Sequence, residues 1–129
     1  MSAWNLQEAL DGCNQPRYQD RIIARMWVYH RDMEVAGKEY ARQKTDFERE
    51  LGKEVVRLRS AGERSADVAG QKALSESDDL YFSKVNYRAA EQRVTADREA
   101  LKILHAQLDD LRTQAADARK ADEFQARAA

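Results

Sequence analysis

Leu80, Tyr87, Val94, Leu101, Leu108 and Ala115 recur every seven residues, and Ala90, Leu104, Leu111 and Ala118 occupy the complementary positions of the same repeat. Only a helix gathers residues at that spacing onto one face, since seven residues fall about 20° short of two full turns. An apolar stripe of that length has to be covered along its length. It therefore predicts a partner helix and a shallow left-handed supercoil.

An earlier stretch can supply the partner. Alternating steps of three and four from Ile23 select Met26, His30, Met33, Gly37, Tyr40, Lys44, Phe47, Leu51, Glu54 and Leu58, while Trp27, Ala41 and Val55 widen the stripe. The repeat lapses at Lys44 and Glu54, which turns a strict seam into a broader packing face. Gly37 in that seam has two readings, a local loss of helix propensity or a point where the partner helix comes close, and His30 reads as a packed or partly exposed seam residue. Between the stripes, Ser60-Ala61-Gly62-Glu63-Arg64-Ser65 breaks the rhythm with Ser and Gly and predicts a reversal over 61–66.

The expected fold is all-α: a long antiparallel helical hairpin, coiled-coil-like, with a short N-terminal helix, in one helical domain spanning 1–129. The short helix covers 3–11, started by Ser2 and stopped by Gly12. Pro16 opens the first long helix, 16–60, because its missing N–H would have no intrahelical partner there. The second runs over 66–122 with a frayed tail at 123–129. Gly70 and the capping-like Ser75-Glu76-Ser77-Asp78 leave two readings open, a continuous helix or a break near 70–75. This folding sets Leu58 near Val68, Tyr40 near residues 85 to 87 and Ile23 near Leu101 to Leu104. The segment bearing Trp4 and Leu10 then covers Leu104, Leu108 and Leu111.

Composition narrows the function classes. With 35% charged residues, one Pro and no strand-length alternation of β-branched and polar residues, sheets are not expected. A net charge of -1 argues against a chain held to polyanions by its overall field, although residues 17–60 carry eleven Lys and Arg against eight Asp and Glu. Cys13 is the single cysteine and makes no intrachain disulfide. The Met-Ser-Ala-Trp start lacks the order of a secretion signal, and no apolar run reaches the roughly 20 residues that span a bilayer. The expectation is a cytoplasmic protein with no membrane contact.

Chemistry-bearing patterns are sparse. Neither His30 nor His105 has a Glu three residues before it, which a helical di-metal site would need, and Cys13 has no ligand at zinc spacing. No Gly-x-Ser-x-Gly turn exposes a nucleophile, and Gly12, Gly37, Gly52, Gly62 and Gly70 never cluster into a phosphate loop. Asp78-Asp79 and Asp109-Asp110 diverge by about 100° on a helix and read as solvated charge. A chain without cofactor, metal or catalytic residues is expected.

What the seams leave over points outward. Trp27, Val28, Val56, Phe82 and Ile103 lie off both stripes, and a two-helix hairpin buries too little to absorb them. They predict self-association into a bundle, as a dimer, and a protein partner, with Trp27, Phe82 and Ile103 as the interface anchors. An alternative uses Arg17, Arg21 and Arg25, spaced by four near Tyr18 and Tyr29, as a row for nucleic-acid phosphates and bases.

The run from Tyr87 to Phe124, Tyr-Arg-Ala-Ala-Glu-Gln-Arg-Val through Leu-Lys-Ile-Leu-His-Ala-Gln-Leu to Ala-Asp-Glu-Phe, resembles the C-terminal half of small helical proteins encoded by bacteriophages and prophages. Glu39-Tyr40-Ala41 is similar to a step in their first helix. Such genes often lie near those for single-strand annealing recombination proteins. The resemblance implies an accessory role and carries no catalytic residues with it.

Overall fold

The computed structural model describes residues 3–128 as four helices: α1 Leu6–Asp11, α2 Tyr18–Ser60, α3 Ala66–Glu76 and α4 Asp78–Ala128. No strand occurs among the described residues, and the long helices α2 and α4 pack against each other as an all-α helical hairpin.

Local chemistry explains each boundary. Asn5 caps α1 by accepting from the Glu8 amide, so that helix starts at Leu6 rather than at residue 3; the expected cap Ser2 lies outside the described residues. Pro16 and Arg17 stand just ahead of α2, whose first residue is Tyr18 rather than the expected 16. At the other end of α2, Gly62 donates to the Arg59 carbonyl and Glu63 to that of Leu58, a Schellman closure. Gly62 takes φ 119°, which a side chain would strain.

The reversal spans 61–65, and Ser65 then caps α3 through the Val68 amide. Ser77 resolves the open question about the second arm. Its backbone is extended and donates to the Ala73 carbonyl, ending α3, while its Oγ accepts from the Leu80 amide and opens α4. The break therefore falls at Ser77 and not at Gly70, with Ser77 closing one helix and capping the next. Asp78 and Asp79 follow in the first turn, where the helix dipole favours negative charge. Residues 123–128, expected to fray, continue α4.

The chain divides into two compact units, Met1–Met33 with Ala96–Ala129 and Glu34–Thr95, called here the terminal unit and the bend unit. In the bend unit, Phe47, Ala73, Leu80 and Tyr87 form the core, with Tyr40, Leu51, Leu58 and Leu74 packed around it. The Tyr87 ring lies 5.1 Å from Phe47 and 6.2 Å from Tyr40, centroid to centroid, which places Tyr40 against Tyr87 as the spacing predicts. Such tilted pairs add stabilisation of about 0.5–1.5 kcal/mol each beyond the area they bury. Lys44 stays in the packing face by laying its ammonium over the Tyr40 ring at 5.6 Å, and Glu54 by pairing with Arg57.

In the terminal unit the core is Ile22, Leu104 and Leu108, flanked by Ile23, Met26, Tyr29 and Leu111. Along α2 the expected seam is displaced by one residue at two places, one in each unit. Ile22 and, farther along α2, Ala36 are buried, while His30 is exposed and Gly37 has nothing within 4 Å of where a Cβ would stand. The close-approach reading of Gly37 is thus corrected, and of the two readings of His30 the structure shows the exposed one. Asp32, one turn before Ala36, is wholly buried as well and accepts from the Trp4 indole.

Candidate interaction surfaces

In the bend unit two exposed aromatic rings, Tyr81 and Phe82, stand next to each other. Because α3 stops at Ser77 and α4 starts at once, the last turn of α3 and the first turns of α4 border a groove of about 490 Å³. Leu74 and the small Ser75 line its α3 side; Tyr81, Lys84 and Val85 line its α4 side. Tyr81 and Val85 are one helical turn apart and face away from Leu80 and Tyr87, which the core claims. Tyr81 is 55% exposed and Phe82 61%, their rings meeting edge to face at 5.9 Å. Lys84 is the one charged group among the lining residues, and its stem adds apolar surface.

The terminal unit holds a different arrangement. The Trp4 indole Nε1 donates to Asp32 Oδ1 at 2.9 Å, and the Arg31 guanidinium lies 5.9 Å from the Trp4 ring centroid. Asp32 is wholly buried and Asp97 is 2% exposed, and both are engaged by neighbours. A buried carboxylate is tolerated only with such partners. None of α1's six residues is fully buried; the helix is tied down at Trp4 on one side and at buried Cys13 on the other. Its Leu10 faces a pocket of about 420 Å³ whose apolar lining continues through Ala100, Ile103 and Leu104. Gln7, Asp11, Arg25, Tyr29 and Gln107 supply the polar groups.

The residues singled out from the sequence are distributed between these surfaces. Trp27 is 72% exposed, with the His30 ring at 6.4 Å. Phe82 stands beside the bend-unit groove, and Ile103, 60% exposed, lines the terminal-unit pocket. The three arginines have three different settings. Arg17 precedes the first residue of α2, Arg21 donates to the Gln15 carbonyl at 3.1 Å and lies over the Tyr18 ring, and Arg25 lines the pocket with Ile103. The structure thus joins Arg25 to Ile103, which the sequence had placed in separate roles.

Tyr81, Val85 and Leu74 went unnoticed in the sequence. Tyr81 and Val85 at i and i+4 were a usable signal, but Leu74 joins them only through the break at Ser77. Trp4 and Asp32 are 28 residues apart and leave no pattern. Among the described residues no group of three or more His, Cys, Asp or Glu is placed to hold a metal ion, and no helix is long and apolar enough to cross a membrane. No protein family, curated protein or solved structure was found to match this chain.

Proposed function

We propose that this chain is a non-enzymatic helical interaction protein of the kind bacteriophages and prophages encode, serving as an adaptor or inhibitor by receiving a helix of another protein. The supporting observation is the bend-unit groove: two adjacent exposed aromatic rings, Tyr81 and Phe82, beside a trough lined by Leu74 and Val85. Large aromatic side chains left in water beside an apolar trough are the usual anchors of protein interfaces, and an amphipathic helix with apolar residues at i, i+3 or i+4 and i+7 is the shape that fills one. The half-exposed Val68 on α3 is a further apolar side chain left in water in the same unit.

The test is a paired capture from the native host with the tagged chain and its Tyr81→Asp, Phe82→Asp double variant. A partner retained by the first and lost by the second, with helicity unchanged, supports the reading. A partner held equally by both sinks it, as does a self-associated species in solution that the double variant alone dissolves, since that would assign the groove to a second copy. Salt-sensitive oligonucleotide binding that vanishes when Arg17, Arg21 and Arg25 become Glu would replace it with the nucleic-acid reading.

A further inference from the structure

The pocket of the terminal unit has a composition that selects a ligand. Its apolar lining, Leu10, Ala100, Ile103 and Leu104, comes from α1 on one side and one face of α4 on the other. At about 420 Å³ it falls within the range of small-molecule sites, about 300–1,000 Å³. Two charged residues line it, Arg25 and Asp11. Asp11 already accepts from the Gln7 amide at 2.9 Å, whereas Arg25 makes no ion pair among the described residues.

These charges restrict the occupant in both directions. A cation would meet the Arg25 guanidinium and an aspartate already hydrogen-bonded. A polyanion would find one cation, with the Asp11 carboxylate repelling its second charge. A single negative charge on an apolar body uses both the one unpaired cation and the apolar lining, where a neutral ligand would use only the second. A guanidinium matches a carboxylate with two parallel hydrogen bonds, and the phenol of Tyr29 and the amide of Gln107 add neutral polar partners in the same lining.

We infer that the α1–α2–α4 pocket of the terminal unit is a binding site for a small amphipathic monocarboxylate, with the carboxylate held by Arg25 and the chain lying along Leu10, Ile103 and Leu104. The site shares no lining residue with the bend-unit groove, so it stands or falls independently of the proposed partner.

Calorimetric titration of the full chain with decanoate and with decanol checks it. Saturable one-to-one decanoate binding is expected, about tenfold weaker or more in Arg25→Gln and for decanol, each of which removes the charge-assisted bonds. Ile103→Glu, which sets a negative charge in the apolar lining, should abolish binding, while Phe82→Asp should leave it intact. Both altered side chains are exposed, so each variant is expected to fold, and circular dichroism verifies that. Absence of saturable decanoate binding, equal affinity in Arg25→Gln, or equal affinity for decanol would each overturn the assignment.

Discussion

The bend unit and the terminal unit use the same heptad face of α4 and close it in opposite ways. In the bend unit the third element is α3, which buries Ala69 and Ala73 completely and lets the Phe47–Tyr87 contact form a dry aromatic core. In the terminal unit the third element is α1, which buries none of its own residues fully and is fastened by a polar tie from Trp4 to the buried Asp32. Small residues allow a helix to lie close and exclude water. A helix of six residues has too few to do so, and is held by a directional bond instead. The close-fitting side leaves Tyr81 and Phe82 outside, beside a groove, whereas the loosely fitting side leaves a pocket within the unit.

Three substitutions probe that contrast. Tyr87→Ala removes the ring shared by Phe47 and Tyr40 and should cost about 3–5 kcal/mol of unfolding free energy in urea. A loss below about 1 kcal/mol would mean that the bend unit is not centred on its aromatics. Trp4→Phe keeps most of the apolar ring but withdraws the donor from Asp32, and should cost about 1–2 kcal/mol. Amide exchange should accelerate in the terminal unit alone; equal acceleration in both units would erase the distinction. Gly37→Ala should stabilise by about 0.5–1 kcal/mol, because a methyl there meets open space and the helix gains propensity. Destabilisation would restore a close helix contact at that position.

The legible part of this molecule was the part written in a period. Leu80, Tyr87, Leu101 and Leu108 are buried as a seven-residue repeat demands, Val94 is half-buried and Ala115 is exposed past the end of the covered stretch, and the Tyr40–Tyr87 contact follows once the reversal is placed near 61. Long-range polar pairing is not periodic. Asp32 sits one residue before the expected seam residue Met33 and looks like any solvated acid, and only the fold brings Trp4 to it. Along α2 the buried positions Ile22 and Ala36 stand one residue before the expected Ile23 and Gly37, a shift too small for alternating steps of three and four to resolve. Of the surface residues, Phe82 and Ile103 are where an off-seam position predicts, in water. The groove and pocket beside them depend on α3 and α1, whose placement a repeat cannot give.

From Arg112 to Ala128, α4 is exposed at every position except Ala116, over about 25 Å. With its side chains in water, that stretch answers to heat as a free peptide would, shortening turn by turn while the buried cores of both units remain intact. Warming should therefore bleach part of the helical dichroism gradually, well ahead of the cooperative melt, and a protease such as trypsin should whittle the arm back from Arg127 through Lys120 and Arg119 toward Arg112 before cutting elsewhere.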